Sequence, residues 1–378
     1  MWKPWRNRQT RNIAIQALVL GFVFAILGHG AYNAAINLKN AGIAVGFDFL
    51  TEKAGYDINF SLLDYSPKSA SHGRAWLVGV TNTIFFAALT IFSTTLAGLF
   101  VAIARLSPNW LLLALSRAYV EYVRNIPVLL HIFIWYAVVL SLPTARQSID
   151  LFDAIHISNR GVHVPGFSWN YGPEATLTLL TTLGGIFYCV HRLIKGSGIN
   201  RPGGATVAAV VACGLLVLAL GPPMSIDIPI KRGFGFEGGM VLTPEPLAMW
   251  IAVTVYFSAH CAEVVRGAII AVPRAQAEAA MALGAKRRLV MIAVVIPQAL
   301  RAMVPPMTSN YINILKAAAL GGAIGFLDIM GTTGGGTLNI TGQAVECIAI
   351  VMLTYMVLNL ILAFVMGRIN KAVRIEGG

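Results

Sequence analysis

The stretch EAAMALGAKRRLVMIAVVIP, residues 278–297, decides how the rest of the chain is read. Glu278 stands beside apolar Ala279, Ala280, Met281 and Leu283, which predicts a short amphipathic helix; Gly284 then supplies the permissive backbone at which it turns into a second helix. That second helix is expected to start at the basic cluster Lys286, Arg287 and Arg288 and to stop at Pro297. Apolar runs long enough to cross a bilayer lie on both sides, so the stretch reads as a helical hairpin held outside the membrane between two spans.

The composition agrees with that setting. Of 378 residues, 57% are apolar and 12% charged, with mean hydropathy +0.71, whereas about a quarter of the residues of a soluble domain are charged. The chain is therefore a polytopic membrane protein. Its net charge of +12 does not point to nucleic acid, because the basic residues cluster at the ends of apolar segments instead of lining one polar face. Cys189, Cys213, Cys261 and Cys347 fall inside apolar runs without CxxC or Cys/His spacing, which predicts packing residues and no metal site. The N-terminal WKPWRNRQTRN precedes an apolar stretch with no small-residue cleavage site, as in an uncleaved signal anchor.

A hydrocarbon core of about 30 Å needs about 20 helical residues. Eight segments meet or approach that length, centred on 13–31, 77–104, 118–141, 174–191, 204–221, 246–270, 304–327 and 343–367. The fold class expected is an all-α polytopic membrane protein of about eight transmembrane helices. Basic residues set its orientation. Arg6, Arg8 and Arg11, then Arg105, Arg117 and Arg124, then Arg192, Lys195 and Arg201, then Lys286, Arg287 and Arg288, and finally Arg368 and Lys371 all fall on one side. Both termini and the hairpin are expected in the cytoplasm. The opposite loops, about 32–75, 142–172 and 222–244, are long and charge-balanced, as functional surfaces are.

Chemistry of its own is not expected of the chain. It has no GxxxxGK[ST], HExxH or GxSxG, and its one GxGxxG, at Gly233, Gly235 and Gly238, follows no parallel strand and reads as a flexible external loop. His156 and His163 read as neighbours in sequence alone. Charged residues inside spans are costly and are therefore functional candidates. Glu263 and Arg266, three residues apart, can pair on one helix face. Lys316 lies within the seventh span after Asn310 and Asn313, and Glu346 begins the eighth with Gln343 on the same face. Each has a structural alternative: a satisfied ion pair, a snorkelling lysine, or a carboxylate favoured by a helix start.

Spacing and residues of the hairpin resemble the EAA motif of permease subunits in ABC importers, with Val294 and Ile296 in the place of Ile and Leu before Pro297. GVTNTIFFAALTIFSTTLAGLFVAIARLS at 79–107, YVEYVRNIPVLLHIFIWY at 119–136 and the run from AEVVRGAIIAVPRAQAEAAMALGA through PQALRAMVPPMTSNYINILK resemble the polar amino acid permeases among them. The extra N-terminal span, GRAWLVG, the inserted pair of spans and TLNITGQAVE are most similar to the larger permease of general L-amino acid transport systems. Ala317, Ala318 and Ala319 depart from the polar residues common there.

The resemblance implies an importer permease of type I, with a five-helix core plus an N-terminal helix and an inserted helix pair. Residues 1–75 hold the tail, extra span and first external loop; 76–141 and 246–378 the core, with a coupling loop at about 273–300; and 142–245 the insertion. It further implies a non-catalytic inner-membrane subunit of an L-amino acid importer, paired with a second similar permease, two ATP-binding subunits that hold ATP and Mg, and a periplasmic amino-acid-binding protein. Glu278, Ala279, Ala280, Met281, Gly284 and Pro297 would couple to the ATPase, with Glu346, Lys316, Asn313, Glu263 and Arg266 as pathway candidates. Two other readings stay open at this level: an ion-coupled secondary transporter, and a non-transporting membrane scaffold for an ATPase.

Overall fold

The computed structural model describes residues 8–40, 46–169, 224–233 and 235–373. The expected spans at 174–191 and 204–221 lie outside the described residues. The chain separates into two compact units, residues 1–136 with 248–378, and residues 137–247.

The first unit is helical. α1 (Arg8–Asn40) and α2 (His72–Arg105) come first; α2 opens on Ser71, whose side chain accepts the Arg74 N–H at 3.2 Å. α3 (Trp110–Asn125) is capped by Asn109, and α4 (Val128–Leu140) follows at a bend of 107°. Here the sequence reading is corrected, since 118–141 is a broken span and not one straight helix. Pro127 is the cause. Its ring bars the helical region to Ile126, which sits at ψ 130 and ends α3.

α5 (Pro244–Ile270) leads to the short α6 (Arg274–Ala282) and then to α7 (Arg287–Val290), a π turn at Met291–Val295 and α8 (Ile296–Ala317). Pro297 was expected to stop the second helix, and it does not. The helix runs on through it, because the preceding π turn widens the backbone ladder where proline lacks an N–H and crowds the carbonyl four residues back. A 3-10 turn (Ala318–Ile324), a π-helical segment (Met330–Thr337), α9 (Leu338–Thr341) and α10 (Ala344–Ala372) complete the unit. Among the described residues, five helical stretches are long and apolar enough to span a membrane, and the bent α3–α4 pair makes a sixth.

Small residues set the helix packing. A Cβ on Gly98 of α2 would sit 2.6 Å from the Cβ of Cys261 and 3.1 Å from the Ser258 carbonyl on α5, so the two backbones approach as they do at small-residue interfaces. Around this crossing Ala102, Val120, Val123, Ala259, Ala262 and Val265 form one buried cluster. Hydroxyl pairs fasten α2 to two neighbours: Thr95 to Tyr311 of α8 at 2.8 Å, and Ser93 to Thr254 of α5 at 2.9 Å. Large apolar side chains such as Phe92, Phe100, Leu360 and Phe364 stay exposed, as a lipid-facing surface requires.

The loop between α1 and α2 lies on the π-helical segment. The Tyr56 hydroxyl donates to the Thr332 carbonyl at 2.9 Å and lies 3.1 Å from the Thr337 hydroxyl, which also meets His72 Nδ1 at 3.0 Å. Asn82, fully buried, donates to the carbonyls of Phe60 and Leu327 at 2.8 and 3.0 Å.

In the second unit, segments read as loops from the sequence fold into short antiparallel sheets. β1 (Ile149–Leu151), β2 (Ile155–Ser158) and β3 (Gly161–Val164) pair in order with β8 (Met240–Leu242). β4 (Gly166–Trp169) pairs with β5 (Met224–Asp227), and β6 (Ile230–Arg232) with β7 (Gly235–Glu237). Two expectations change. The GxGxxG stretch is a hairpin, with Gly233 at φ +57 in its turn and the Gly239 N–H, just beyond it, donating to Asp227 Oδ2 at 2.8 Å. His156 and His163 are also more than sequence neighbours. They are directly opposed across β2 and β3, and both rings lie on Phe236, at 4.7 and 4.2 Å.

Candidate coupling surface and pathway residues

α6 carries Glu278, Ala279, Ala280 and Met281, and none of its residues is buried. Leu283, immediately after it, is 91% exposed. The helix is alanine-rich and has no buried side chain to fasten it to a core. Its C-terminus is closed by a two-bond motif: Gly284 N–H donates to the Met281 carbonyl at 2.9 Å and Ala285 N–H to the Ala280 carbonyl at 3.1 Å. Gly284 sits at φ +87, in the left-handed region, and a Cβ there would meet nothing within 4 Å. Glycine is therefore needed for its backbone and not for space.

Sequence reasoning missed two connections, one tying α6 to α8 and one tying α8 to the end of α10. Gln298 on α8 donates to the Gln276 side chain of α6 and to the Val294 carbonyl at 3.0 Å. Arg301 Nε donates to the Val373 carbonyl beyond α10 at 3.1 Å. Glutamines at either end of the quoted stretch were the available signal for the first; the second joins residues 72 positions apart and has none.

Glu263 and Arg266 meet at 3.0 Å on α5, and Glu263 also takes an ion pair from Arg105 at the end of α2. The carboxylate thus clamps the end of α2 to the helix that leads into α6. Arg105 was read from the sequence only as an orientation signal. Its place in the last turn of a span suits a partner one helix away.

The remaining candidates are not brought together by any described contact. Asn313 and Lys316 are exposed on α8. Glu346 is only 6% exposed in the first turn of α10; its Oε1 accepts the Gly46 N–H at 3.0 Å, and its Oε2 has no partner among the described residues. Asp328, also missed, is fully buried, taking the Gly331 N–H at 2.9 Å and the Tyr355 hydroxyl. An aspartate three residues before a Gly-Thr-Thr run is a capping pattern that could have flagged it.

In the second unit, His156 Nδ1 lies 2.7 Å from Asp150 Oδ1 and Lys231 Nζ 3.9 Å from Asp150 Oδ2. Hydrogen bonds from Ser148 and His156 hold the Asp150 carboxyl below its ordinary range. Burial, together with the charge of His156, pushes His163 down.

The family model described as "Binding-protein-dependent transport system inner membrane component" matches residues 94–375. The chain is 40% identical over 378 residues to a protein of Escherichia coli (strain K12) named putative amino-acid ABC transporter permease protein YhdX, covering 98% of this chain and 95% of that one. It is 37% identical to the general L-amino acid transport system permease protein AapQ of Rhizobium johnstonii, over 95% of this chain and 91% of the relative. It is 31% identical to the glutamate/glutamine/aspartate/asparagine transport system permease protein BztB of Rhodobacter capsulatus, over 97% and 94% respectively.

Proposed function

Because the chain belongs to the family of binding-protein-dependent transport system inner membrane components, we propose that it is one of two permease subunits of an ATP-driven importer of L-amino acids. Membership makes it a multi-pass membrane permease, not itself catalytic, that works with an ATPase and a substrate-binding protein. In the finer reading the complex holds a second similar permease, two ATP-binding subunits carrying ATP and Mg, and a periplasmic amino-acid-binding protein. Both termini and α6 face the cytoplasm, a reading supported by the basic clusters.

The observation that carries the mechanism is α6, without a buried residue, stopped by a left-handed glycine and joined to a span at each end. Such an element moves as a rigid lever. Closure of the ATPase pair on ATP displaces α6, the displacement passes to α5 and α8, and the Arg105–Glu263 clamp carries α2 along. The pathway then opens to alternate sides.

An amino acid in a low-dielectric pathway needs a partner for each charge, since an unpaired buried charge costs several kcal/mol. Lys316 and Asn313 supply donors for the carboxylate, and Glu346 Oε2, without a partner among the described residues, an acceptor for the ammonium. The test is uptake by the full complex in proteoliposomes. ATP-driven amino acid accumulation that survives collapse of ion gradients is expected; gradient-driven uptake would favour secondary transport, and ATPase binding without flux a scaffold. Glu346→Gln keeps an acceptor for Gly46 N–H while removing the charge, so uptake should fall at wild-type complex yield, as it should for Lys316→Met. Unchanged uptake in both removes this chain from substrate binding.

A further inference from the structure

Residues 46–71, between α1 and α2, form a strap that the lever mechanism does not use. Its ends are stitched together, with Ala54 N–H donating to the Ala70 carbonyl and His72 N–H to the Glu52 carbonyl, both at 2.9 Å. Ala54 and Ile58 pack with Ala75 and Val78 of α2 in one buried cluster, and the Tyr65 hydroxyl donates to the Tyr56 carbonyl at 2.7 Å. A loop closed at its ends and packed by its own side chains is a fixed element from which one side chain can act on its neighbours.

The neighbour that needs fixing is the π-helical segment. Four of its eight residues, Gly331, Gly334, Gly335 and Gly336, are glycine. Glycine is a poor helix former and π geometry is rare beyond a single turn, so contacts from outside must hold the segment. Tyr56 supplies them. Its hydroxyl reaches the Thr332 carbonyl and the Thr337 hydroxyl, and its ring covers Gly336, where a Cβ would lie 2.7 Å from ring atoms.

From Thr337 a relay of hydrogen bonds runs on toward α10. The Thr341 hydroxyl donates to the Thr337 carbonyl at 2.9 Å and accepts the Gln343 N–H at 3.3 Å. Gln343 opens the turn that carries Glu346. The strap also holds that carboxylate directly, through Gly46 N–H on Oε1. What remains on this buried turn is Glu346 Oε2 and Gln343 Oε1, two acceptors without a partner among the described residues. Buried acceptors left without donors suit a ligand that brings its own N–H groups, as an ammonium does.

We propose that Tyr56 is a positioning residue for Glu346, fixing through Thr337 and Thr341 the turn on which that carboxylate meets the substrate. This role rests on the reading of Glu346 as the acceptor for the ammonium. Tyr56 touches no substrate itself; it sets where the acceptor stands.

The experiment uses the full complex in proteoliposomes at saturating binding protein and reads uptake, stimulated ATPase activity and complex yield side by side. Tyr56→Phe keeps the ring on Gly336 and removes only the hydroxyl. Amino acid taken up per ATP hydrolysed should fall about fivefold, the equivalent of about one neutral hydrogen bond, with yield and ATPase activity at wild-type level. Thr341→Val, which cuts the relay, should do the same, and Thr341→Ser should restore the wild-type ratio. In a Glu346→Gln background Tyr56→Phe should add nothing, because it acts through Glu346. An unchanged ratio in both Tyr56→Phe and Thr341→Val, with Glu346→Gln impaired, overturns the proposal and leaves the role of Glu346 standing. So does an additive double variant, or a joint fall of yield, ATPase activity and uptake that Thr341→Ser does not reverse. Unchanged uptake in Glu346→Gln alone removes Glu346 from the pathway first, and Tyr56 with it. Should Tyr56→Phe fail to assemble, the Thr341 pair decides.

Discussion

Replacing Gly284 isolates the lever from everything that holds the protein together. Its φ of +87 costs a side-chain-bearing residue about 1–2 kcal/mol, with a β-branched residue at the upper end. No steric term adds to this, because the new Cβ meets nothing within 4 Å. The chain can escape the strain only by rotating Gly284 out of the left-handed region. That breaks the 2.9 Å and 3.1 Å bonds to the Met281 and Ala280 carbonyls, at about 1 kcal/mol each. Both routes cost about the same, so Gly284→Val should lower the population of the native turn by about tenfold or somewhat more.

Because α6 has no buried residue, this loss should leave folding and assembly intact. Uptake and substrate-stimulated ATPase activity in proteoliposomes should fall in the order Gly, Asn, Ala, Val, with Asn near wild type since it tolerates the left-handed region. A Gly284→Val complex at normal yield, with full stimulated ATPase activity and normal uptake, would refute the assignment of this turn to coupling.

Gly98→Val should force α2 and α5 apart, because its Cβ alone would come within 2.6 Å of Cys261 Cβ; a loss of about 1–3 kcal/mol should appear as lower thermal stability in detergent. Glu263→Gln strips a common partner from Arg105 and Arg266, and a double-mutant cycle with Arg105→Ala should give a coupling energy of about 1–3 kcal/mol, while an additive cycle would deny the clamp. Because His163 titrates below its ordinary 6.5 when folded, the unfolded chain takes up its proton first as pH falls. The contribution of His163 to stability should therefore be complete above that value and decline as pH drops from it toward the lower folded pKa; His163→Phe should flatten this slope in thermal unfolding curves, and an unchanged slope would place the sensitivity elsewhere.

What could be read from the sequence follows how local each determinant is. The turn at Gly284 was legible because helix, stop and glycine sit within seven residues, and spans were legible because a bilayer enforces length and polarity. The break in the third span was equally local, at Ile126–Pro127, and should have been seen. The histidine pair was half legible: the alternation in IHIS and GVHV flanking Asn159 and Arg160 is a hairpin pattern, but that Phe236 lies on both rings depends on a strand more than 70 positions away. Pro297 misled because a helix stop and a π turn have the same proline signature, and which one forms is settled by the neighbouring spans.

The pathway residues show the limit most clearly. Glu346 was chosen for its charge in an apolar span, yet its Oε1 is engaged by the backbone of Gly46, 300 positions earlier. Asp328, more deeply buried, carried no comparable flag because it lies between spans. In a membrane permease a charge inside a span is conspicuous in sequence, but whether it serves substrate or structure is decided by the backbone N–H and hydroxyl groups that reach it. Those groups belong to distant segments. The helix and turn of the hairpin need no such partners, which is why their form could be read from twenty consecutive positions; coupling is assigned by the Gly284 variants and the pathway by those at Glu346 and Lys316.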